Sequence, residues 1–211
     1  MTATAETPKK KHTFREVLSA LGRPKVASML ALGFGSGLPF LLTGATFGYW
    51  LRDEGTTLTA IGFLSWVGLA YTFKVFWAPL VDRSRLPFLN KLGQRRSWVV
   101  FAQILVAIGL IGMAAFGAHG PGGLATIGAF ALLVAFASAT QDIAVDAWRI
   151  ESAPDSEEQS LVTSAFQLGY RAALLVTDAL ILIFAQNIGW PMSYVLMAIL
   201  MTVGLFAALR T

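Results

Sequence analysis

Six stretches of this chain are too long and too apolar to be ordinary core helices of a water-soluble protein. They cover residues 26–51, 59–81, 98–117, 124–150, 161–185 and 191–209, each near the roughly 20 residues that carry a helix across a bilayer. In hydrocarbon a backbone polar group finds no water, so a run of this kind must satisfy its own N–H and C=O groups as a helix. The composition agrees, with 13% charged residues and 55% hydrophobic ones, against about a quarter charged in a soluble domain. The expectation is an all-α membrane protein of six transmembrane helices. Short connections make sequential helices antiparallel neighbours in one bundle over residues 26–211, preceded by a basic tail over residues 1–25.

Lysine and arginine positions set the expected orientation. The tail carries Lys9, Lys10, Lys11, Arg15, Arg23 and Lys25, the second-to-third connection carries Arg83, Arg85, Lys91, Arg95 and Arg96, and the fourth-to-fifth begins at Arg149. The other side has only Arg52. Both termini are therefore expected in the cytoplasm. Positive charge gathered at membrane boundaries fits anionic membrane lipid and not nucleic acid. The first apolar run is too long for a signal-peptide core and lacks a clear small-residue cleavage site, so it is expected to persist in the mature protein. With no cysteine, and with histidines only at His12 and His119, no metal centre and no cofactor are expected. Trp50, Trp98, Trp148 and Trp190 fall at span ends and are expected to form interfacial belts.

Charges inside the spans carry the functional reading, because an intramembrane charge usually faces a bundle interior or a water-filled path. Asp142 and Asp146 are i, i+4 neighbours, with Ser138 one turn before and Arg149 one turn after Asp146, so a polar stripe runs down the fourth span. Lys74 lies about 12 Å from its span's cytoplasmic end and Asp142 about 10 Å from the same face. That matched depth makes them candidate partners, with snorkelling of Lys74 to the headgroups as the alternative. In the fifth span Ser164, Gln167, Arg171 and Asp178 share one face. Arg171 keeps its proton and offers a fork for a carboxylate or phosphate, whereas a desolvated Asp142 or Asp178 suits a proton carrier. A structural Arg171–Asp178 ion pair is the competing reading.

The first span holds Gly33-Phe34-Gly35-Ser36-Gly37-Leu38-Pro39. Pro39 lies about 20 Å along the axis, near mid-membrane, so the helix is expected to break there beside a binding site. Close small-residue packing explains the same glycines. Asp82-Arg83 and Gly93-Gln94-Arg95-Arg96 place charges at helix ends, where charge-assisted bonds lock a loop. Asp82, Arg83, Asp146 and Arg149 are expected to act as a cytoplasmic gate.

The Asp82-Arg83 and Gly93-to-Arg96 pattern resembles the signature loop of the major facilitator superfamily, with Trp77-Ala78-Pro79 in place of the usual preceding glycine and a wider spacing. That widened loop, the 32–39 glycine motif, Trp50-Leu51-Arg52-Asp53-Glu54-Gly55, residues 139–147 and Leu168-Gly169-Tyr170-Arg171 together resemble AmpG-type muropeptide permeases and the related acetyl-CoA transporters. The resemblance runs from about Val17 onward. It implies the N-terminal half of a facilitator fold, built as a 3+3 inverted repeat. It also implies proton-driven uptake of anhydro-muropeptides for cell-wall recycling at the inner membrane.

In this reading the small-molecule substrate binds near Arg171, Gln167, Gln141, Gly37 and Pro39, while Asp142, Lys74 and Asp178 couple protons. A second six-helix half or a homodimer is the expected partner. The other readings are an acetyl-CoA-like solute, a non-transporting assembly protein or permease remnant, and a membrane hydrolase using the two aspartates. No nucleophile elbow, zinc spacing or phosphate loop points to an enzyme.

Overall fold

The structure, a computed structural model, describes residues 23–119 and 123–210. The expected tail over residues 1–25 therefore lies almost wholly outside the described residues. Those described are helical apart from short connections, and six helical stretches are long and apolar enough to cross a membrane. This is an all-α membrane protein consistent with one half of a facilitator fold.

The first span comprises Pro24–Leu42 and Ala45–Asp53. Pro24 opens it at a position where its missing N–H costs nothing. Pro39 sits inside the helix without breaking it, which corrects the expected position of the break. The interruption comes one turn later. There the Thr43 N–H and hydroxyl both donate to the Pro39 carbonyl, at 3.1 and 3.0 Å, and the backbone leaves helical values at Gly44. Proline removes one hydrogen bond, while the helix around it is braced against the fifth span. A Cβ added at Gly33 would lie 2.0 Å from the Phe166 carbonyl oxygen, and one at Gly169 would lie 1.9 Å from that of Leu30. The glycines thus let two backbones touch.

The second span is the most irregular. Helix over Leu58–Leu64 passes through 3₁₀ turns at Ser65–Gly68 and Lys74–Phe76, with Leu69–Phe73 between them, and ends in Ala78–Arg83. At its start Thr57 caps the helix by accepting from the Ala60 N–H. Only 6% of its most apolar window is buried, so it packs at the rim of the bundle. The third span, Gln94–Phe116, and the fourth, Gly123–Ser152, are continuous. Ser156–Leu175 and Ile181–Ile188 form the fifth span around a π-helical turn at Val176–Leu180, and Trp190–Arg210 forms the sixth.

The packing has an internal symmetry. Contrary to expectation, sequential spans do not generally pack side by side: among the described residues the first and second, second and third, and fourth and fifth meet mainly at their connections. Instead the first span packs on the fifth and sixth, the fourth on the second and third, the third on the sixth, and the first on the fourth. Exchanging spans one to three for four to six maps this set of contacts onto itself. Since each span reverses the direction of the last, the two triplets have opposite sense, which is the arrangement of an inverted repeat.

Two of the four expected belt tryptophans face inward. Trp50 is fully buried and stacks at 6.3 Å on Trp190, itself 8% exposed. Each indole N–H is drawn in by a carboxylate: Trp50 donates to Glu54 at 2.6 Å and Trp190 to Asp53 at 2.9 Å. A buried indole needs such a partner. Trp98 and Trp148 remain half-buried near the opposite end.

Candidate functional site

The fourth and fifth spans enclose a cavity of about 250 Å³ lined by Asp142, Asp146, Arg149, Phe166, Gln167 and Tyr170. Its polar groups come from residues that helical spacing stacks on facing stripes. Lys74 approaches from the second span, its Nζ 3.8 Å from Asp142 Oδ2, and the two side chains are 31% and 19% exposed. Lys74 therefore points at the carboxylate and not along the helix toward the headgroups. One turn further along, Asp146 and Arg149 pair at 3.0 Å, and the Arg149 guanidinium lies 5.0 Å from the Phe166 ring centroid. Each carboxylate thus has its own cation.

The end of the bundle beyond Arg149 is tied by charge. Arg95 binds Asp82 at 2.6 Å with one nitrogen and Glu151 at 2.7 Å with another, so one guanidinium joins the second, third and fourth spans. Gln94 adds a bond to the Asp82 carbonyl at 2.5 Å. Lys25, from the first span, binds Glu158 at 2.7 Å and also donates to the Ser152 carbonyl, which holds the fourth-to-fifth connection. Arg83 is exposed at the end of its helix.

The remaining site candidates separate into two groups. Gln167, Arg171 and Asp178 lie on one exposed face of the fifth span, and Asp178 falls in the π turn. Among the described residues no ion pair joins Arg171 to Asp178. Gln141, Gly37 and Pro39 are instead buried and are not among the residues lining the cavity. The Gln141 amide donates to Ser36 Oγ at 3.0 Å across the first-to-fourth contact, and a Cβ on Gly37 would lie 2.7 Å from the Tyr170 carbonyl oxygen.

Known proteins are similar to this sequence. The chain is 41% identical over 196 residues, 92% of its length, to the anhydromuropeptide permease of Escherichia coli (strain K12). The chain is a homologue of the AmpG-type permeases. The Rickettsia conorii protein named AmpG 4 is 34% identical over 85% of the chain, and the Rickettsia prowazekii protein named AmpG 3 is 37% identical over 79%. The family model described as acetyl-coenzyme A transporter 1 matches residues 26–120. The chain spans about two-fifths of these relatives, 38% of the Escherichia coli protein and 43% of the Rickettsia conorii one.

Six helices related to an AmpG-type permease make this a multi-pass membrane protein. Within that frame, sequence reasoning missed the carboxylates Glu151, Glu158 and Glu54. Glu54 accepts from Trp50 and, at 3.3 Å, from the Ala118 N–H, and lies 3.3 Å from His119, so it joins the first-to-second and third-to-fourth connections. The signal available was the count of unpaired charges at each end of the bundle. Three carboxylates beside span ends, each opposite a basic or N–H-rich loop, were candidates for such ties.

Proposed function

We propose that this chain is half of a proton-coupled permease that takes up muropeptides or related anionic solutes across the inner membrane, with both of its ends in the cytoplasm. The observation that carries the reading is Lys74 paired with Asp142, an aspartate that lines a cavity between two membrane-spanning helices, in a chain 41% identical over 92% of its length to an anhydromuropeptide permease. Protonation of Asp142 releases Lys74 and shifts the balance between two arrangements of the bundle. Arg171 and Gln167 anchor the anionic solute, with Gln141, Gly37 and Pro39 forming the wall behind it and Asp178 a second proton site. Opening and closing of the Asp82–Arg95–Glu151 tie, together with Arg83 and the Asp146–Arg149 pair, gates the cytoplasmic end. Separate cations on Asp142 and Asp146 favour transport over a hydrolytic pair sharing one proton.

A partner completes the pathway. The second and fifth spans have 6% and 22% of their windows buried, the least of the six, and the fifth presents Arg171 and Asp178 outward. A second six-helix half, or a second copy, covers that face. The match of residues 26–120 to an acetyl-coenzyme A transporter family favours, as a second reading, an acetyl-CoA-like solute on the same anchor.

Uptake of labelled anhydro-muropeptide into proteoliposomes with an imposed inward proton gradient tests this. Protonophore-sensitive accumulation, by the chain alone or with a co-reconstituted second half, is the expected result. No accumulation of either solute under both conditions overturns the proposal.

A further inference from the structure

We propose that Tyr71 and Ser138 form a water-bridged hydroxyl relay that delivers the proton to Asp142 from the end of the bundle opposite Asp146 and Arg149. The inference rests on the proton-coupling reading and adds its route. The cavity is lined by Asp142 together with Asp146 and Arg149, which lie one and two turns after it on the fourth span. Ser138 lies one turn before Asp142, and Tyr71 lies one turn before Lys74, about 5 Å toward the opposite face in each case. The Lys74–Asp142 pair therefore separates a polar cavity from a hydroxyl pair.

Those two hydroxyls are unusual. Tyr71 Oη and Ser138 Oγ are buried, and among the described residues neither has a hydrogen-bond partner of ordinary geometry. A buried hydroxyl left unpaired is costly, so two of them close together beside an ion pair are suited to sharing a bridging water. Their polar neighbours are each other, the Thr43 hydroxyl and the Asp142 carboxylate. Thr43 already donates its hydroxyl proton to the Pro39 carbonyl, at 3.0 Å, so it accepts only and cannot pass a proton on. Tyr71 and Ser138 can each do both. The Tyr71 ring is held edge-on to Phe40 at 5.4 Å, which fixes where its hydroxyl points.

Several charged or titratable groups face Asp142. These are Lys74 and Tyr71 from the second span, Tyr170 from the fifth, and Asp146 with its partner Arg149 on the fourth. In the transfer, a hydrated proton protonates the outer hydroxyl as that hydroxyl releases its own proton inward through water. The last O–H bond to break is on the relay and the new O–H bond forms on Asp142. Both hydroxyls end neutral, Asp142 ends as a carboxylic acid, and Lys74 loses its counter-charge.

The test uses the full chain in sealed vesicles in one verified orientation, with an acid pulse applied at the Glu54 end. Protonation of Asp142 is followed by time-resolved infrared spectroscopy of its carboxyl stretch, assigned by its loss in Asp142→Asn. The expected result is that Tyr71→Phe and Ser138→Ala slow the appearance of this band at least tenfold with the same end point, while Ser138→Thr retains the wild-type rate. Unchanged rates in both hydroxyl deletions overturn the relay and leave proton coupling standing. A wild-type chain whose Asp142 band never responds to pH overturns both. Should Tyr71→Phe not fold, the Ser138→Ala and Ser138→Thr comparison decides alone.

Discussion

Replacing Gly169 by alanine should pry the first and fifth spans apart. The added Cβ would lie 1.9 Å from the Leu30 carbonyl oxygen and 2.9 Å from the Phe34 nitrogen, where ordinary contact begins at 3.4 Å. Relief requires a shift of about 1.5 Å between two backbones, since no flexible side chain stands in the way. A gap of 0.5–1 Å already forfeits roughly a quarter to a half of each contact's attraction, and overpacking of this kind costs about 1–3 kcal/mol or more. We expect the upper end of that range for Gly169→Ala and for Gly33→Ala, whose Cβ would meet the Phe166 carbonyl at 2.0 Å. The fold supplies its own control. A Cβ at Gly62 meets nothing within 4 Å, and alanine is a better helix former by about 0.5–1 kcal/mol, so Gly62→Ala should hold or raise stability. Reversible unfolding of the three variants in one bilayer composition measures all of this. Equal stability of Gly169→Ala and Gly62→Ala would refute the backbone contact on which the account of the first span rests.

Three further outcomes follow from named contacts. Lys74→Met should destabilise the bundle by about 1–3 kcal/mol by leaving Asp142 without its cation, and the double change with Asp142→Asn should recover most of that loss; thermal unfolding of the pair reads it, and an additive double variant would contradict it. A double-mutant cycle between Arg95 and Glu151 should give a coupling of about 0.5–1 kcal/mol that shrinks as salt is raised, because the glutamate is 55% exposed. Glu54→Gln should speed hydrogen exchange at the Ala118 amide severalfold while leaving amides of the third span's middle unchanged, since Ala118 donates to Glu54.

Much of this architecture was legible because hydrocarbon leaves so few choices. Apolar length alone placed six helices, and helical spacing put Asp142, Asp146 and Arg149 on one stripe that the fold lines a cavity with. Matched depth brought Lys74 opposite Asp142. What stayed hidden depends on contacts between distant segments. Pro39 looks like a breaking point locally, yet the packing of Gly33 and Gly37 on the fifth span keeps its helix whole. Trp50 and Trp190 sit at span ends like belt residues, and only the folded chain brings Glu54 and Asp53 to their indole N–H groups. Glu151 lies 56 residues from Arg95, and no periodicity links them.

The same reasoning about charge in hydrocarbon makes the partner testable without knowing its sequence. Arg171 and Asp178 lie on the outer face of the fifth span, and among the described residues no ion pair joins them. On an insertion scale, arginine or aspartate at a helix centre is unfavourable by about 2.5–3.5 kcal/mol and leucine is slightly favourable. For a chain alone in lipid, Arg171→Leu and Asp178→Leu should each raise stability, by about 3 kcal/mol at most, with less for Arg171 because its stem can snorkel. With a second half covering that face the sign should reverse, since the same changes would strand the partner's polar groups and weaken assembly. Unfolding of each variant, alone and co-reconstituted with a candidate second half, separates the cases. Leucine variants that are no more stable than wild type in isolation would show that lipid never meets these side chains, and would remove the argument from exposure for a missing half.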